Sequence, residues 1–253
     1  MLILLSPAKN LNESRGAGRA TTQPRFLDEA AELAQLARGW SEAEIARLMQ
    51  VSPAIAALNR DRFAAWSREP AETQAAADMF DGDVYRHLDM ATLDDPHRAE
   101  AARRLRILSG LYGLLRPTDA VLPYRLEMGR KLPGHDAGTL YKFWGGKIAQ
   151  AVARDAQEAG ADTVLNLASD EYFKSVDRSQ LGTLAVVEPR FEEDRGGTRK
   201  VIAFAAKRAR GAMARWVLEQ GVTDPADLAQ FETGGYGFDA EASTAQRPVF
   251  VRA

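Results

Sequence analysis

The chain has 253 residues, enough to bury a substantial core as one domain, and its 33 Lys+Arg against 35 Asp+Glu give a formal net charge of −2. A protein that coats nucleic acid with its whole surface is basic, so any nucleic-acid site here is a local patch. There is no cysteine, and the only histidines are His87, His97 and His135. Thiolate nucleophiles, disulfide chemistry, thiolate zinc and cysteine-held clusters are excluded, and no two histidines stand at metal-ligand spacing. No metal and no cofactor are expected. No apolar run has the length of a membrane span, and Met1-Leu-Ile-Leu-Leu-Ser-Pro7 lacks a positive stretch ahead of a run too short for a secretion signal. A soluble, cytoplasmic protein without membrane contact is the expectation.

Leu2 to Leu5 reads as a short buried strand closed by Ser6-Pro-Ala-Lys9, and the polar stretch from Asn10 to Pro24, with Gly16 and Gly18, as a flexible loop. From about 25 to 115 the pattern is helical, a helical insertion in a single domain spanning 1–253. Ser41 with Glu44 is a capping box, and Ser52-Pro53 sets a capping hydroxyl before a proline at the first helical position. Two helices joined by a short hairpin at Gln50, Val51 and Ser52 therefore occupy 41–66, with Arg60 and Arg62 on the second. Leu48-x-x-Val51-x-Pro53-x-x-Ala56 has the skeleton of a helix-hairpin-helix DNA module. The two glycines that let such a hairpin approach phosphates are Gln50 and Ser52 here, so a plain helical hairpin stands beside the DNA reading. Asp95-Pro96 starts another helix, whose apolar stripe includes Leu105 and Leu108 and which ends near Ser109-Gly110.

Leu111 to Pro117 and Pro123 to Gly129 are irregular and mix aromatics with Arg116, Arg125 and Glu127, the composition of pocket walls or of packed loops. Tyr141 to Lys147 leads into a helix running to about Glu158, with Gly160 as its C-cap. Gly145-Gly146-Lys147 is not a phosphate loop, because the earlier glycine position is Tyr141 and Ile148 follows the lysine. The apolar run Val164 to Ala168 stops at Ser169 and delivers Asp170, Glu171 and Lys174, as a buried strand does at its carboxyl end. Asn166, an amide inside that run, is expected to brace a neighbouring loop. Thr183 to Phe191 and Lys200 to Ala206 read as an antiparallel hairpin turning at Asp194-Arg-Gly-Gly197, with a last strand at Pro248 to Val251. No acid lies between Asp194 and Glu219, so Lys207, Arg208 and Arg210 belong to the most concentrated positive segment of the chain. Lys9, Lys174 and Lys207, three of only seven lysines, each read as following an apolar strand. The fold expected is α/β, a mixed sheet with the helical insertion.

Ser6-Pro-Ala-Lys9, Ser109-Gly-Leu-Tyr-Gly113 with Arg116-Pro117, Pro123-Tyr-Arg-Leu-Glu-Met-Gly129 and Phe143-Trp-Gly145 together resemble the bacterial YaaA peroxide-stress-resistance family. The resemblance continues through Asn166-Leu-Ala-Ser-Asp-Glu-Tyr-Phe-Lys-Ser-Val176, Ala206-Lys207, Ala209-Arg-Gly211 and Gly235-Tyr236, nearly end to end. It implies cytoplasmic proteins that limit oxidative damage and intracellular iron during peroxide stress. It also implies an unusual α/β fold with a positively charged cleft, a helix-hairpin-helix element falling on Ser41 to Trp66, and DNA binding. The cleft is expected to hold Lys9, Arg125, Lys174, Lys207, Arg208 and Arg210. An alternative occupant of the same cleft is an anionic small molecule, phosphate-bearing or nucleotide-like, with Asp170, Glu171 and Lys174 as candidates for acid–base work. Without a thiol, protection acts through DNA, metabolism or carboxylate chemistry.

Overall fold

Leu2–Leu5 (β1) carries four apolar side chains in a row, all buried, a composition suited to a strand covered on both faces. In the computed structural model, which describes residues 1–14 and 22–253, this strand is the centre of a five-stranded sheet. Gly16 and Gly18 of the expected flexible loop lie outside the described residues. Parallel neighbours flank β1 on both edges. Leu105–Ser109 (β2) aligns Leu105 with Ile3, and Thr163–Asn166 (β4) aligns Val164 with Leu2. Gly113–Leu115 (β3) folds back antiparallel on β2, and Ala185–Val187 (β5) adds in parallel outside β4. The sheet order is thus β3-β2-β1-β4-β5. From β1 the chain crosses first to one side and later to the other, and the place where the order reverses is where open α/β sheets hold ligands.

Apart from the single turn Ala76–Met79, the α-helices before β2 are Leu27–Arg38 (α1), Glu42–Met49 (α2), Pro53–Ala65 (α3), Asp83–Leu88 (α4) and Asp95–Arg104 (α5). Ser41 caps α2 in a reciprocal box with Glu44, and the Ser52 hydroxyl accepts from the Ile55 N–H above Pro53, as the spacing implied. The connection Gln50-Val51-Ser52 turns because Gln50 adopts a left-handed backbone, φ 55°. The helical stretch closes at Arg104. Leu105–Ser109 is strand, not the end of a helical stripe, because a five-residue run with three apolar side chains suits either element and burial on both faces selects the strand.

After β3 come Leu140–Trp144 (α6), Lys147–Glu158 (α7) and the single turn Asp170–Phe173 (α8). Gly160, at φ +63°, follows α7 as expected. Arg190–Asp194 (β6) and Arg199–Lys200 (β7) form the short hairpin around Gly196 and Gly197. The expected second arm stops at Lys200. Alanine-rich Ala203–Glu219 is helix (α9), consistent with the helix propensity of its composition. Lys207 therefore sits on a helix face and not at a strand end. Gly237–Phe238 (β8) and Val249–Arg252 (β9) complete a second sheet, ordered β7-β6-β9-β8, whose Phe191 and Phe250 pack with Phe231 against Trp216 of α9. Among the described residues no helix is long and apolar enough to cross a membrane.

Arg106 points into the interior from β2, and its guanidinium bonds the carboxylate of Asp155 on α7, which Arg25 also holds. Asp155 is 1% exposed. Two guanidiniums on one carboxylate satisfy charges that burial would otherwise make costly. An Asp155→Ala variant strands both, and is expected to lose about 3–5 kcal/mol of stability in urea unfolding.

Candidate functional site

The carboxyl ends of the parallel strands set the geometry. β1 ends at Ser6 and β4 at Leu167-Ala168-Ser169, and the ladder extends one step through a bond from the Leu167 N–H to the Leu4 carbonyl. At the reversal of strand order the two serines meet. The Ser169 N–H donates to Ser6 Oγ at 2.9 Å, and the hydroxyls lie 3.2 Å apart. Asn166 braces this edge in the way its burial demanded. Its amide N–H donates to Glu188 beyond β5, and its carbonyl accepts from the Ala168 N–H.

Loop 123–130 lies across the end of β2. A Cβ on Gly110 would stand 2.1 Å from the Leu126 carbonyl oxygen, so only glycine admits the loop at this distance. The Tyr124 and Ser109 hydroxyls pair at 2.6 Å. The loop then buries Glu127, 3% exposed, beneath three cations. Arg125 bonds one carboxylate oxygen at 3.0 and 3.1 Å, Arg130 bonds the other at 3.2 Å, and Lys9 Nζ stands 3.8 Å away. Arg130 also donates to the Leu48 carbonyl, tying the end of α2 to this cluster. A bond from the Gly129 N–H to Glu171 fastens the loop to α8. Burial first, then the nearby negative groups, raise the Tyr172 phenol well above its ordinary pKa, so it remains a neutral hydroxyl.

Asp170, Glu171 and Lys174 do not form the local ion pair that their spacing allowed. Glu171 takes the Gly129 N–H, its carbonyl accepts from the Tyr141 hydroxyl, and Lys174 lies over the Tyr141 ring, 5.2 Å from its centroid. Asp170 instead acts electrostatically on Arg210 of α9. Burial lowers the Arg210 pKa, with Asp170 opposing the shift. The α9 wall is seated by Gly211, where a Cβ would stand 2.0 Å from the Val84 carbonyl oxygen of α4. From the same α4, the Tyr85 hydroxyl donates to the Ser6 carbonyl at 2.8 Å. Tyr85 is buried, and burial raises its pKa well above the ordinary value.

Lys9 and Arg125 thus meet at Glu127, Glu171 and Lys174 meet at Tyr141, and Asp170 acts on Arg210. Arg208 turns to Asp83 at 3.3 Å and stacks on Phe204, while Lys207 is exposed. In the helical hairpin, Arg60 is held by Glu42 and Asp61, and Arg62 by Glu13, so carboxylates occupy both guanidiniums. Gln50, Ser52 and Pro53 are exposed and Val51 is partly buried. Ser6, Ser169, Arg130, Tyr85 and Tyr141 were not among the residues expected at the site. Ser6 and Ser169 carried a signal, each being the first hydroxyl after an apolar run.

These features define an α/β protein whose parallel strands end, at their carboxyl edge, in a hydroxyl pair beside a charge-compensated loop. The chain belongs to the family described as peroxide stress protein YaaA, whose model matches residues 1–242. It is 65% identical to a UPF0246 protein of Ruegeria sp. (strain TM1040) over the full length of both. It is 46% identical to a UPF0246 protein of Alcanivorax borkumensis and 44% identical to one of Ruegeria pomeroyi, covering all of this chain and 98% of each relative.

Glu127 is the hub of the loop, so Glu127→Gln leaves Arg125 and Arg130 without their counter-charge. A loss of about 3 kcal/mol in urea unfolding is expected, and an unchanged midpoint would show that the loop is held without this carboxylate.

Proposed function

We propose that the chain serves its family's peroxide-stress role in the cytoplasm by binding DNA through a local basic surface, limiting oxidative damage and intracellular iron. The observation that carries this reading is the run from Arg195 to Leu218, which has no acid. Lys200 and Lys207 stand exposed on it, and Phe204 is 50% exposed beside the Arg208 guanidinium. Cations with an open aromatic face suit phosphates and bases. Lys9 and Lys174 extend the positive surface toward the strand ends. The hairpin at 41–66 is a second candidate contact through its exposed Gln50-to-Pro53 turn, with Arg60 and Arg62 available only if they release their acids.

Phosphate contacts release counterions, so affinity for a 20-base-pair duplex is expected to fall steeply with salt in fluorescence anisotropy. The double variant Lys200→Ala/Lys207→Ala is expected to make the log–log salt slope shallower by about 1.8, two contacts at ~0.9 each. Salt-insensitive binding, or a slope the variant leaves alone, would count against this surface.

A second reading is favoured by the meeting of Ser6 and Ser169 at the reversal of strand order, the usual ligand position in such sheets. Here the occupant is an anionic small molecule, phosphate-bearing or nucleotide-like, with Asp170, Glu171 and Lys174 at the rim for acid–base work. Screening nucleotides for binding and turnover tests it. Wild-type protein is expected to respond where Lys174→Ala does not, and equal inertness of both would sink the reading.

A further inference from the structure

Tyr112, in the turn between β2 and β3, has a hydroxyl with one bond unfilled. Its oxygen accepts twice, from the Trp66 indole N–H at 2.9 Å and from the Leu122 backbone N–H at 3.2 Å. Both lone pairs are then occupied, and the group can act further only as a donor. Among the described residues no acceptor takes that proton, although Tyr112 is 2% exposed. Buried polar groups are rarely left so. The hydroxyl is also fixed. The Tyr112 N–H donates to Ser109 Oγ at 2.9 Å, Ser109 pairs with the Tyr124 hydroxyl, and the two tyrosine rings meet edge to face with centroids 5.4 Å apart. Burial pushes the Tyr112 pKa up to about 12, so the proton stays on the phenol at neutral pH.

A cavity of about 290 Å³ opens beside this phenol. Tyr112 lines it together with Leu122, the residue whose N–H bonds the hydroxyl, so the hydroxyl end of the ring is the part that reaches the cavity. Leu27 and Ala120 add apolar wall, and Thr73 and Glu69 stand at its polar side. The size is at the low end of small-molecule sites, which combine apolar walls with a few placed polar groups. Two residues decide its charge. Arg68 is answered by Asp28, whereas Glu69 has no cation partner among the described residues. A carboxylate at the rim and a neutral phenol inside disfavour an anion. They suit a molecule that accepts at one atom and donates at the next.

We propose that this cavity binds a small neutral molecule carrying a carbonyl beside an N–H, the edge of a cyclic amide or pyrimidine base, with the carbonyl oxygen on the Tyr112 hydroxyl and the N–H turned to Glu69. None of the residues invoked in either reading above lines the cavity, so the inference stands independently of both. The irregular segment from Leu111 to Pro117, with the composition of a pocket wall, here supplies the wall's one fixed donor.

The test is an NMR titration of the intact protein with uracil, following the Trp66 indole and Leu122 amide N–H resonances. Both groups donate to the Tyr112 oxygen, and an acceptor on its proton strengthens them cooperatively. Saturable shifts of these two signals are expected, with the Trp144 indole, bonded to the Gly110 carbonyl, unmoved. Tyr112→Phe is expected to weaken uracil binding tenfold or more, read by saturation transfer to the ligand. That variant strands two N–H donors; should it not fold, Ala120→Phe fills the cavity, leaves the hydroxyl bonds intact and is expected to abolish the shifts. N-methylated uracil, which keeps the carbonyls without the N–H, is expected to bind several-fold more weakly, and acetate to leave the signals in place. Absence of saturable shifts with uracil, shifts that survive Ala120→Phe, or an equal response to acetate overturns the proposal.

Discussion

The constraint on which the rest depends is the parallel pairing of β1 on both edges. A strand of four apolar residues has no room for a polar group until it ends, so the first hydroxyl appears at Ser6. Because β4 runs alongside in the same direction and in fixed register, its own first hydroxyl, Ser169, arrives at the same level. Two antiparallel strands would have sent these serines to opposite ends of the sheet. Parallel pairing with a reversal of strand order puts them together at one edge of the sheet.

Charge compensation then decides what surrounds that crevice. This protein places carboxylates inside, Asp155 under the sheet and Glu127 in the loop above it, and surrounds each with cations. Glu127 draws Arg125, Arg130 and Lys9 from a loop, a turn and the end of β1. The basic look of Pro123 to Arg130 in sequence is therefore largely spent internally, and the same holds for Arg60 and Arg62. Positive residues are a poor guide to an anion site until their partners are counted.

What was legible in the sequence was local. The Ser41 box and the Ser52-Pro53 start depend on residues three or four apart, and both hold. The strand from Val164 and the bracing role of Asn166 followed from an apolar run with a single amide in it. Leu105–Ser109 misled because leucines three apart also fit a helix, and only its place between β1 and β3 makes it a strand. Ala203–Ala206 misled in the opposite sense, since a plausible hairpin arm was in fact the first turn of α9. The meeting of Ser6 with Ser169 joins residues 163 positions apart and depends on strand order, which no local pattern encodes.

The composition adds a limit of its own. A peroxide-stress protein without cysteine has no thiolate to oxidise, and its buried tyrosines are held as neutral phenols, with Tyr112 pushed up to about 12 by burial. Neither group offers a ready nucleophile toward peroxide at neutral pH. Helix α9 presents two kinds of cation, Lys207 exposed to solvent and Arg210 half-buried within the electrostatic reach of Asp170. Gly211 locks the helix against α4, so neither residue is free to exchange roles with the other. One rigid element thus carries an exposed cation and a half-buried one three residues apart, in two different electrostatic surroundings.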